Sequence, residues 1–132
     1  MQPLNDDDYF SGLCSRLPGG TDRVEPFEVS IEDWRPEPGK CHDNVDVFVR
    51  SSRPQYRPVR GWLVSEQGAG VYWLAAHSVV CDQYGNLLDI TPPISDPARL
   101  GMRFLRHLGT QEQFLSLLPR NNQRILVCHS RA

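Results

Sequence analysis

The sequence predicts an α+β domain in which a helix carrying a cysteine packs on an antiparallel sheet carrying a histidine. Three observations lead there. Cys41, Val45, Phe48 and Val49 fall at i, i+4, i+7 and i+8, the spacing of one apolar helix face. Residues 61–66, 71–81 and 87–91 read as strands. The turn-forming runs Gln67-Gly68-Ala69-Gly70 and Asp82-Gln83-Tyr84-Gly85-Asn86 separate them, which makes an antiparallel meander. Finally, 132 residues with 39% hydrophobic and 23% charged content suit a single domain over residues 1–132 that folds without a metal or disulfide staple.

The remaining elements follow in chain order. Residues 6–17 predict a short helix, with aspartates at its positive end and Tyr9, Phe10, Leu13 and Leu17 on one face. Pro18-Gly19-Gly20 ends it. Residues 27–31 alternate apolar and polar, the pattern of a strand. Residues 34–40 hold two prolines and a glycine and predict a loop. The Cys41 helix starts directly after Pro38-Gly39-Lys40, which places the thiol in its first turn, pointing inward. Residues 51–60, with Pro54 and Pro58, predict another loop. Pro92-Pro93 closes the meander. Residues 102–106 predict a further strand. Thr110 and Gln113 form a capping box that opens a helix through Leu118, stopped by Pro119. Residues 124–128 predict a last strand.

Composition narrows the function. The net charge of −2 and pI near 6.0 come without a concentrated basic stripe, which argues against nucleic-acid binding. The N-terminus lacks a basic and apolar leader pattern, and no apolar run reaches membrane-span length, so no membrane association is expected. Cys14, Cys41, Cys81 and Cys128 are widely spaced with no C-x-x-C pair and are expected to be free thiols. A cytoplasmic location follows, with a secreted effector lacking a classical signal as the other option. No cofactor is expected.

Chemistry concentrates on Cys41, His77 and Asp89. A hairpin centred near Gln83 or Tyr84 puts His77 opposite Asp89 or one step away, within reach of a hydrogen bond. A carboxylate on one imidazole nitrogen leaves the other to act as a base. A thiol at a helix N-terminus feels the positive end of the helix dipole, which favours thiolate. These are the parts of a thiol hydrolase.

The order cysteine, histidine, acidic residue on consecutive elements resembles the papain-like superfamily, closest to its transglutaminase-like and NlpC/P60-like branches. The wording Cys41-His42-Asp43-Asn44-Val45, Gly61-Trp62, His77-Ser78-Val79-Val80 and Gly85-Asn86-Leu87-Leu88-Asp89-Ile90-Thr91-Pro92 also resembles a family of small bacterial and phage proteins. The likeness spans residues 39–93. It implies a compact papain-like arrangement in which Cys41 attacks an amide, His77 is the base and Asp89 orients it. Peptidase, amidase and glutamine deamidase chemistry all fit, on a peptide or protein amide. Papain-type peptidases carry a glutamine shortly before the cysteine; none lies between Gln2 and Cys41 here, so oxyanion stabilisation falls to the backbone amides of Cys41 and His42.

Two other readings stand beside this one. The chain can be a non-catalytic binding or accessory protein that keeps the fold, with Cys41 a small core residue and His77 a satisfied core histidine. It can also bind a metal through Cys41, His42, His77, Cys81 and Asp89, although their spacing matches no zinc signature and no tight zinc is expected. Asn44, one turn after Cys41, and Trp62 are the candidate substrate-binding positions. Backbone satisfaction by Asn44 and a core or cleft-wall role for Trp62 are the structural alternatives. His42 is expected to face away from the apolar stripe.

Overall fold

The computed structural model describes residues 6–92, 103–119 and 123–129. The elements run α1 (Asp6–Ser15), β1 (Asp22–Arg23), β2 (Glu25–Pro26), α2 (Cys41–Ser52), β3 (Arg57–Gly68), β4 (Val71–Cys81), β5 (Leu87–Asp89), β6 (Arg103–Arg106), α3 (Gln111–Ser116) and β7 (Ile125–His129). The fold is α+β: α2 lies beside a mostly antiparallel sheet, as the sequence predicts.

The sheet order is β1-β6-β3-β4-β5-β2, with β7 added on β4. Its two ends, β1 and β2, are separated in sequence by Val24 alone, so the sheet curls nearly closed on itself. β3 carries the middle of the sheet and is buried on both faces from Arg60 to Val64. Alternation sorts its side chains. Trp62 and Val64 join Leu13, Leu17, Leu74, Leu105, Phe114 and Leu117 under α1 and α3. Leu63, between them, turns to the other face and packs with Val79, Cys81, Leu87 and Phe104. Val45, Phe48 and Val49 of α2 form a third cluster with Val80 and Ile90, which is the predicted helix stripe.

Two glycine-rich features hold this geometry. The β3–β4 turn needs left-handed backbone at Gly68, Ala69 and Gly70, with φ of 112°, 50° and 77°. Gly61 lies opposite both His77 and Arg106; a Cβ there would come within 2.3 Å of the Leu105 carbonyl oxygen and 2.7 Å of the Phe104 ring. The predicted capping box is present, Gln113 N–H donating to Thr110 Oγ1 at 3.1 Å and Thr110 N–H to Gln113 Oε1 at 3.0 Å.

Several expectations need correction. Residues 27–31 form no strand, although Phe27, Val29 and Ile31 do pack on the α2 cluster. The alternation reported burial rather than pairing; only Phe27 N–H continues the edge, to the Asp89 carbonyl at 2.9 Å. β3 begins at Arg57, inside the predicted loop, because Pro58 tolerates a position near a strand start. β5 stops at Asp89, two residues early. Met102 and Pro93 lie outside the described residues. The four cysteines are not all free: Cys14 and Cys128 form a disulfide that ties α1 to β7 across a sequence separation of 114. Spacing could not reveal that pair, because the β4–β7 pairing, which places Cys128 opposite Tyr72, creates the proximity. The pairing also removes the ground on which the cytoplasmic expectation rested, since disulfides persist in oxidising surroundings.

Candidate functional site

Cys41 opens α2. The first i→i−4 bond of that helix runs from Asn44 N–H to the Lys40 carbonyl at 2.9 Å, so the N–H groups of Cys41, His42 and Asp43 precede it. No side chain caps this end. Facing it is β4, at the point where its edge changes partner. Val71–Ala75 pair with β7, Ala76 N–H reaches the Arg124 carbonyl at 2.8 Å, and Val80 and Cys81 pair with β5. His77 falls in that interval.

The hairpin register is centred on Tyr84: Val80 pairs Leu88 and Cys81 pairs Leu87. Asp89 is therefore diagonal to His77 on the same face, two residues from the directly opposed position. The pair meets, with His77 Nε2 3.0 Å from Asp89 Oδ2. Asp89 Oδ1 accepts from Thr91 N–H at 3.1 Å, which fixes the carboxylate plane. With Nε2 on Asp89, the other ring nitrogen of His77 is left for its hydrogen bond to the Cys41 sulfur.

Electrostatics make this an ion pair. Burial would push the Cys41 thiol up, but hydrogen bonds from His42 and His77, with their charge, pull it from the usual 9.0 to about 5. Burial would push His77 down, but the Asp89 carboxylate, followed by Cys41, raises it from 6.5 to about 9. Between those values the site holds thiolate and imidazolium. Cys41 is partly exposed, whereas Cys81, the other unpaired thiol among the described residues, is buried.

The structure thus brings Cys41, His77 and Asp89 together. It does not add the two expected substrate-binding residues. Trp62 is fully buried, and its Nε1–H donates to Tyr9 Oη at 3.0 Å inside the α1 cluster. Asn44 is buried and serves the backbone: its Oδ1 accepts from Glu37 N–H at 3.0 Å, and its Nδ2 donates to the Glu37 carbonyl at 2.8 Å and to Thr91 Oγ1 at 3.0 Å. Asn44 therefore fastens the loop before α2 to the residues after β5. His42 does not face solvent. It is buried, lies edge-on to Phe114 at 5.8 Å, and shares a short hydrogen bond between Nδ1 and Ser78 Oγ.

Sequence reasoning passed over Arg60 and Ser78. Arg60 is a buried cation whose Nη1 donates to Ser78 Oγ at 2.8 Å and whose Nη2 pairs with Asp46. The signal was available: Arg60 has the same strand parity as Trp62 and Val64, so a charge stands where the core face runs. A groove of about 340 Å³, lined by Phe27, Val29, Pro36, Ile90 and Pro92 among others, opens beside Asp89. Among the described residues, no group of three His, Cys, Asp or Glu side chains is arranged to hold a metal ion. Nor is any described helix long and apolar enough to cross a membrane.

In comparisons with known proteins, no family model, no curated protein and no solved structure matches the chain.

Proposed function

We propose that the protein is a cysteine-nucleophile enzyme acting on an amide of a peptide or protein, with a papain-like division of labour among Cys41, His77 and Asp89. The observation that carries this reading is the His77–Asp89 contact at 3.0 Å, with His77 also bonded to a thiolate-forming Cys41 at a helix N-terminus. A core cysteine needs no imidazolium, and a core histidine needs no carboxylate on one nitrogen and a thiolate on the other.

On this reading the Cys41 thiolate attacks the amide carbonyl carbon. A sulfur–carbon bond forms and the carbonyl π pair moves to oxygen, where the N–H groups opening α2 meet the developing charge. His77 gives its proton to the leaving nitrogen as the carbon–nitrogen bond breaks. Water, deprotonated by His77, then cleaves the thioester and restores the thiol. The groove beside Asp89 offers an apolar wall for a substrate side chain.

The test is acyl transfer to hydroxylamine. Purified protein is incubated with hydroxylamine and either a blocked glutaminyl-glycine or a casein digest, and hydroxamate is measured. Product that disappears in both Cys41→Ala and His77→Ala supports the reading. Wild-type protein that forms no more hydroxamate than Cys41→Ala on either substrate sinks it in favour of a non-catalytic binding protein.

A further inference from the structure

Cys41 is served by two imidazoles, and the triad uses one. The second is His42, whose surroundings are built with more polar machinery than a packing residue requires. Its Nδ1 meets Ser78 Oγ, and Ser78 is fully buried. Arg60 Nη1 donates to the same oxygen at 2.8 Å. Arg60 is itself anchored by Asp46, by Gln111 Oε1 at 3.0 Å from its Nε, and by the His42 carbonyl at 3.5 Å. A guanidinium has donors only. Ser78 Oγ must therefore accept from Arg60, and since His42 Nδ1 is its only other side-chain partner, the buried serine hydrogen finds its acceptor there. An Nδ1 that accepts leaves the ring proton on Nε2, and the His42 ring is in hydrogen-bond contact with the Cys41 sulfur.

We infer that His42 is a second, fixed N–H donor to the Cys41 sulfur, with its tautomer set by the buried relay Asp46–Arg60–Ser78. This rests on the proposed role of Cys41 as nucleophile and adds a residue to it. Around His42 stand Cys41 from its own helix, Ser78 from β4, Arg60 from β3 and Phe114 from α3; Gln111, Asp46 and His77 lie one contact further on. The division of labour is clear from the partners. His77, backed by a carboxylate, is the imidazole that carries a mobile proton. His42, backed by a hydroxyl held by a cation, presents an N–H to the sulfur. As the sulfur–carbon bond forms and sulfur loses its charge, this N–H is released beside the carbonyl oxygen, where negative charge appears. That supplies a side-chain donor in a chain with no glutamine between Gln2 and Cys41.

The test uses amide side chains as nitrogen-specific replacements. Glutamine places its NH₂ near the imidazole Nε2, and asparagine near Nδ1. The readout is the pH at which Cys41 becomes alkylatable by iodoacetamide, followed on the Cys41 peptide by mass spectrometry in folded protein. His42→Phe should move that step upward by at least one pH unit, a tenfold loss of thiolate below it. His42→Gln should return it most of the way, and His42→Asn should not. If His42→Phe leaves the step in place, or Asn restores it and Gln does not, the inference is overturned and His42 only holds Ser78. Ser78→Ala, which removes one buried oxygen, carries the same test where a His42 variant does not fold: an unmoved step overturns the relay. His77→Ala runs alongside. A step that ignores His77 but follows His42 refutes the triad and leaves this inference standing; the converse refutes this inference alone.

Discussion

The thiolate–imidazolium pair can be tested by comparing Cys41 in the folded protein with the same residue in urea at pH 6. With a value of about 5, roughly nine-tenths of Cys41 is thiolate at that pH, whereas at the usual 9.0 the fraction is about one in a thousand. Thiolate fraction alone argues for an increase of nearly a thousandfold. A thiolate about four units less basic is, however, intrinsically slower by roughly 40- to 100-fold, for a Brønsted slope of about 0.4–0.5. The expected advantage of the folded state is thus roughly 10- to 20-fold. Its direction is unusual, because folding normally shields thiols, as it should for Cys81. Timed iodoacetamide labelling with peptide-resolved mass spectrometry gives both rates in one sample. The folded-state rate should rise once, near pH 5, and then stay level towards pH 8. His77→Ala should move that rise upward and lower the rate at pH 6. A wild-type rate that climbs steadily through pH 8 and 9, with no step near 5, would refute the ion pair and everything built on it.

Other outcomes follow from neighbouring contacts. The raised value of His77 contributes stability that is fully present below 6.5 and is lost as pH rises through about 9. Asp89→Asn should flatten that loss, measured as urea midpoints at pH 6 and pH 9, and should slow Cys41 labelling less than His77→Ala does. Asp46 is half-exposed while Arg60 is buried, so the two ends of their pair are not equivalent. Asp46→Ala leaves a buried cation and should cost about 3 kcal/mol in denaturant unfolding, more than Arg60→Met, which leaves a carboxylate that water can reach. The Cys14–Cys128 crosslink closes most of the chain, so its reduction should lower unfolding free energy by about 5 kcal/mol, and the unreduced intact mass should be lighter by two hydrogens.

Local chemistry was legible in the sequence. The stripe from Cys41 to Val49, the two turn runs and the capping box each fix a local element by themselves, and each appears in the structure. The hairpin centre at Tyr84 was enough to put His77 and Asp89 on one face, because side chains in a strand repeat every two residues. What stayed hidden depends on contacts between distant segments. β1 and β2 are two residues each and exist only because β6 and β5 offer them an edge. The Cys14–Cys128 pair depends on α1 and β7 meeting over β4. His42 lies off the apolar stripe, but its burial stayed hidden because the stripe is not the whole buried face. Sheet and α3 enclose the start of α2 more widely, and the polar residues on that side are buried with partners.

On the proposed reaction, the arrangement of charge would let one histidine hold a proton firmly and still release it in time. In the resting site the His77 imidazolium sits between two anions, Asp89 at 3.0 Å from one nitrogen and the Cys41 sulfur on the other. Both raise its affinity for the proton. On the proposed reaction, forming the sulfur–carbon bond neutralises one of them. The negative charge moves to the carbonyl oxygen, nearer the N–H groups of α2 and the His42 ring than the His77 proton. His77 then keeps only Asp89 and remains desolvated, and desolvation lowers its affinity for the proton. Its acidity therefore rises at the moment the leaving nitrogen needs a proton. Asp89 is required to keep this from happening too early: without its charge, burial would drive His77 to the neutral form before substrate arrives, and Cys41 would lose its imidazolium.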